Sequence, residues 1–239
     1  MKSINSRPLI FHRGPRLVPL ALVYTALAIA GVISAVILRH GAPFVTPYGH
    51  PAEIQRFFAA SPTAVQVSAF FLFGSAVPLG IFTATIVSQL RFLGVRAAGT
   101  YITLFGGFLA SFALVLSGLS MWVLSVPDVV TTPGLAHAFY FFSFLFGGAA
   151  FSVGFGLLAA GVSVTAGITR RLSRPVVIFG FVIAVAGELS ALSLLFYPAS
   201  FLLPLTRYVG IVWLILAAAK LPRSREVRPA VPQQEVQSA

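Results

Sequence analysis

Long apolar stretches, each about 20 residues or more, recur along the chain with short polar gaps between them. A helix needs about 20 apolar residues to cross a bilayer core. The pattern therefore predicts six membrane spans, at 17–38, 63–90, 98–126, 135–168, 175–197 and 199–219. The fourth exceeds what a bilayer requires, so its start projects from the core or the helix tilts. The fold class that follows is an all-α, polytopic transmembrane bundle. Residues 1–16 form a basic tail before the bundle (17–219), and the Pro-, Gln- and charge-rich stretch 220–239 reads as a disordered basic tail.

The gap between the first two spans carries one more periodic segment. Pro51 and Glu53 suit the first turn of a helix. Ile54, Phe57 and Phe58 then share a face, with Arg56 elsewhere. This amphipathic segment, at about 51–60, either lies on the membrane surface or folds over the mouth of the bundle.

Charge turns the span count into an orientation. Of the 16 Lys and Arg residues, 13 fall in the two tails and in the gaps after spans two and four. Only Arg39, Arg56 and Arg207 lie elsewhere. Basic residues in short loops mark the cytoplasmic side, which predicts N-in, C-in topology. Six spans also return both tails to one side. The net charge of +11 is thus an orientation signal and not a nucleic-acid surface. The chain has no cysteine, which excludes disulfides, thiolate metal sites and cysteine nucleophiles.

Small residues recur at four-residue spacing in two spans. Span three holds Gly99, Thr103, Gly107 and Ser111, with a second row of Gly106, Ala110 and Gly118. Span four holds Gly148, Ser152, Gly156 and Ala160. Such rows let helix backbones approach closely. They predict packing of span three on span four, or a face for a homo-oligomer or another membrane protein. Phe71–Ala76 also resembles 144–149, the trace of a parallel hairpin repeat.

Few residues can carry chemistry. Glu188 stands well inside span five, where a carboxylate costs about 2.5–3.5 kcal/mol on insertion scales and demands a partner. Arg207, at a matching depth in span six, is the expected partner. The pair either locks the two helices or forms a proton- or substrate-linked site. Pro78, between Gly74 and Gly80, should kink or break span two. His40, His50 and His137 fall on the outer side without metal-ligand spacing, so no metal, haem or other cofactor is expected. Asp128 is the sole aspartate, and no nucleophile–base constellation is visible, which argues against an enzyme.

The run Pro204-Leu-Thr-Arg-Tyr-Val-Gly-Ile-Val-Trp-Leu-Ile, closing on Lys220-Leu-Pro, resembles the last helix of six-span bacterial membrane proteins of unknown function. The resemblance implies a multi-pass protein of the bacterial cytoplasmic membrane and transfers no functional residue. Two functions remain open: a small permease-like protein built around Glu188 and Arg207, or a non-catalytic scaffold or regulatory subunit that binds another membrane protein through its small-residue faces.

Overall fold

The computed structural model describes residues 9–39 and 45–226. Its chain is overwhelmingly helical, with six helices long and apolar enough to cross a membrane: Leu17–Leu38, Pro62–Phe92, Ala98–Val123, Gly134–Ile168, Arg174–Leu194 and Tyr197–Lys220. We call these spans one to six. Span one is helix α1, and a short helix α2 (Pro51–Ala59) follows it. Spans two and three are α3 (Pro62–Phe92) and α4 (Ala98–Val123). A single turn, α5 (Pro127–Val130), leads into span four, in which α6 (Pro133–Leu145) and α7 (Phe151–Ile168) flank a π-turn at Phe146–Ala150. Span five is α8 (Arg174–Leu189) with a 3-10 end at Ser190–Leu194. Span six is assembled from a 3-10 start (Tyr197–Phe201), a short α9 (Leu202–Pro204), a second π-turn (Leu205–Val209) and α10 (Gly210–Lys220).

Consecutive spans pack side by side, and span six returns to pack on span one, closing a ring. The core inside the ring is aromatic and aliphatic: Tyr24, Leu79, Phe82, Phe151, Phe155, Leu158 and Trp213 are all buried. The Trp213 indole N–H donates to the Val176 carbonyl, 3.2 Å away, and so satisfies its one polar atom.

Glycines set the register of the closest contacts. A Cβ on Gly106 would stand 2.6 Å from the Leu158 amide nitrogen and 2.7 Å from the Gly154 carbonyl oxygen. One on Gly154 would stand 2.6 Å from the Ala110 nitrogen. Spans three and four thus approach backbone to backbone, and the small residues of each divide among several neighbours. Gly99, Thr103, Gly106 and Ala110 meet Gly154 and Gly161. Gly107 and Ser111 instead turn to span two, where Gly107 faces Thr83 and the Ser111 hydroxyl donates to the Ala76 carbonyl at 2.6 Å. Gly156 and Ser152 face Gly187 of span five, and Gly148 faces Leu203 of span six. Each span is small on several sides, so spacing alone does not choose the partner.

Pro78 lies inside α3, which runs unbroken past it, and Pro78 is buried. Donors crowd the neighbouring carbonyls there, with Ser75 Oγ on Leu72 O at 2.7 Å and Ser111 Oγ on Ala76 O. The two copies of the hairpin repeat do not share local structure: 71–76 is regular α-helix, whereas 144–149 runs into the π-turn. The region beyond Lys220 is not all irregular, because β2 (Ser224–Glu226) pairs antiparallel with β1 (Leu9–Phe11). The predicted disordered segment 227–239 lies outside the described residues, as do His40 and residues 1–8 of the first tail.

The two ends of the bundle differ in chemistry. At one end, the His12 amide donates to Arg223 O (2.8 Å), and Arg223 Nη2 donates to Gly14 O (3.1 Å). The Gly14 amide donates to His12 Nδ1 at 3.3 Å, so Nε2 carries the proton and donates to Ser88 Oγ at 3.0 Å. Gln89 Nε2, fully buried, donates to Pro222 O at 2.8 Å, and Arg171 Nη2 to Leu93 O at 3.1 Å. This is the end that holds the basic gaps. At the other end α2 folds inward: Ile54 and Phe58 are buried against Val65, Leu124, Val130 and Ala136. The apolar face of the 51–60 segment thus packs on the protein at this end. Arg39 is also buried there, its guanidinium 4.1 Å from the Phe57 ring centroid.

Candidate functional site

The expected Glu188–Arg207 pair does not form. Glu188 is exposed, and among the described residues no ion pair joins it to Arg207. The reason lies in helix phase. Span five buries Gly180, Ile183, Ala184 and Gly187. Glu188 sits one step past that face, in line with Phe181, Val185 and Leu192, all of them exposed. Matching depth along two helices did not ensure matching rotation.

Arg207 points elsewhere. It is half-buried near the middle of span six, inside the π-turn Leu205–Val209. Pro204, just before it, lacks the N–H that a regular helix would use, which locally disturbs the ladder. The guanidinium carbon lies 5.0 Å from the centroid of Phe151, itself at the middle of span four. The other π-turn, Phe146–Ala150, faces it; a Cβ on Gly147 would stand 3.9 Å from Arg207 Nη2 and 2.5 Å from Ser117 Oγ. Two π-turns therefore oppose one another around a single cation. Such turns are rare in regular helices and concentrate at functional sites.

Two cavities adjoin at Arg207. One, of about 400 Å³, lies between spans one, two, three and six, with Tyr24, Ser68 and Ser75 among its lining residues. The second, of about 270 Å³, is lined by Ser117, Ser143, Gly147 and Pro204. Leu72, Met121, Arg207 and Tyr208 belong to both walls. Ser117 and Ser143 bond reciprocally, Ser117 Oγ to Ser143 O at 2.8 Å and Ser143 Oγ to Ser117 O at 3.1 Å. Among the described residues no carboxylate lies within ion-pair distance of Arg207, and its guanidinium faces the Phe151 ring.

Tyr24, Ser117, Ser143 and Gly147 did not stand out in the sequence. Two signals could have found them: Pro204 three residues before the one basic residue within an apolar run, and the Gly147–Gly148 pair inside a long apolar stretch. Among the described residues no group of three or more His, Asp or Glu side chains is placed to hold a metal ion. No protein-family model, curated protein sequence or solved structure matches this chain.

Proposed function

We propose that this is a small permease-like protein of a cytoplasmic membrane, N-in and C-in, that takes a small organic anion into the cavities beside Arg207. The observation that carries this reading is the acid-free guanidinium of Arg207, between two adjoining cavities at mid-span. An ionised side chain at that depth needs a counter-charge. The described residues supply none there, and a carboxylate ligand is matched to the planar fork of Arg. The apolar and aromatic walls suit an aryl or short alkyl body attached to that carboxylate.

The test is thermal melting of the purified protein in detergent, titrated with benzoate and separately with benzyl alcohol. Benzoate should raise the melting temperature and the alcohol should not. Arg207→Gln should abolish the benzoate response. Equal responses to both compounds, or an unchanged response in the variant, would overturn the reading.

A second reading, a scaffold that binds another membrane protein, is favoured by Glu188. An exposed carboxylate within an apolar stripe is relieved when a partner helix bearing a cation covers it. In that case Glu188→Leu releases a partner that copurifies in stoichiometric amount and leaves the benzoate response intact.

A further inference from the structure

The basic end of spans four and five carries a second feature, away from Arg207. An open groove of about 810 Å³ runs between α7 and α8. Its upper rim holds Arg170 and Arg174, both exposed. Among the described residues neither guanidinium has a hydrogen-bond or acidic partner. Their neighbour Arg171 differs, because its Nη2 is tied to Leu93 O. Below the rim the walls are apolar and outward-facing: Ile168 is 77% exposed, Ile178 62% and Phe181 41%. On the floor Ser163 is fully buried, and its hydroxyl has no hydrogen-bond partner.

The backbone adds a separate observation. Arg170 ends α7 with φ of +51°, the left-handed region, in the position where helices use glycine. Its amide donates to Gly167 O, and the Arg171 amide to Ala166 O, the paired bonds of a helix-ending turn. A side chain is unfavourable there. Arginine at a glycine position places a cation over the groove at the expense of local geometry.

We infer that the α7–α8 groove holds an anionic diacyl phospholipid, its phosphate between Arg170 and Arg174 and an acyl chain along Ile168, Ile178 and Phe181. Cation above and apolar trough below match the two halves of such a lipid, and basic pockets between spans on the cytoplasmic side recognise anionic headgroups. The start of α8 adds the positive end of its dipole at the same level. The inference rests on membrane residence and not on the Arg207 site, so each can fail without the other.

Native mass spectrometry of the full chain in detergent tests it, with dioleoylphosphatidylglycerol and dioleoylphosphatidylcholine offered at equal concentration. The protein should retain the anionic lipid in preference. Arg170→Gly with Arg174→Gln should lower that preference by about 25-fold, about fivefold for each arginine. Glycine suits the +51° backbone, so this variant should melt at or above the parent temperature. Arg91→Gln with Arg96→Gln removes the same charge from the same end and should leave the preference unchanged. Equal retention of both lipids overturns the inference, as does a loss of equal size in the Arg91/Arg96 variant, which would mean diffuse charge attraction. Displacement of the lipid by millimolar inorganic phosphate alone would show a site for the free ion and would also overturn it.

Discussion

Replacing Glu188 with Leu removes a carboxylate from an exposed apolar stripe. We expect this to raise the melting temperature in detergent, by an amount bounded by the roughly 2.5–3.5 kcal/mol that insertion scales assign to such a group. Arg207→Leu acts at a separate place. The double variant should therefore show the sum of the single effects, with coupling below about 0.5 kcal/mol, as for residues out of contact. A larger coupling in the thermal cycle would put the two side chains together after all. His12 gives a pH-dependent prediction. Burial, and then the neighbouring Arg223, push its imidazole pKa below the ordinary value. A lowered pKa means the folded state favours the neutral ring, so His12 contributes stability above pH about 6.5 that is lost as pH falls through the lowered value. Hydrogen exchange of the Ile10 and Arg225 amides, the hydrogen-bonded pair of the two strands, should speed up between pH 7 and pH 5, after correction for the intrinsic rate, and His12→Gln should remove most of that dependence. At this scale the sequence was half legible. Arg207 stands out as the one basic residue inside a long apolar run. The direction it faces depends on the widened turn after Pro204, which no spacing rule for a regular helix anticipates.

Among the helices, the glycine contacts make opposed predictions for chemically identical changes. Gly154→Ala drives a methyl group into the Ala110 backbone, which cannot move without shifting span three. Overpacking of this kind costs about 1–3 kcal/mol. Gly148→Ala meets only Leu203 Cδ1, at 3.0 Å, the end of a flexible side chain. Gly74→Ala meets nothing nearer than Leu27 Cδ1 at 4.0 Å, and should be neutral or stabilising by up to about 1 kcal/mol. Melting temperatures should therefore fall in the order Gly74→Ala, Gly148→Ala, Gly154→Ala. If Gly148→Ala were the most damaging, the span three–span four register described above would be wrong. Four-residue spacing in the sequence marks small residues on both helices. It could not assign faces, because Gly147, Gly148, Gly154, Gly156 and Gly161 together encircle span four, and any side of it accepts a neighbour.

At the scale of the molecule, the six apolar helices were the most legible feature, because about 20 apolar residues between charged gaps leave few alternatives. The strand pair was not legible: residues 9–11 are a short apolar run, 224–226 a short polar one, and the two are distant in sequence. Two measurements address this scale in the cysteine-free chain. His50→Cys and Ser173→Cys, both exposed positions, should be labelled from opposite sides of intact cells, His50→Cys from outside. Ile10→Cys with Arg225→Cys places two thiols on directly opposed residues of the strand pair. That spacing suits a disulfide, so mild oxidation should give an intramolecular crosslink with a shifted gel mobility.

The strand pair also has a consequence in time. Arg223 reaches back to His12 across 211 residues. At synthesis rates of roughly 5–20 residues per second, His12 waits about 10–40 s for its partner to be made. Span one waits almost as long for span six. Of the six spans, the first made is therefore the last to be enclosed, and until then its inward face, with Tyr24 upon it, stands open to whatever the insertion machinery or a chaperone presents. A ribosome stalled before span six would leave a chain with that seam unsealed, a state that surveillance proteases can recognise.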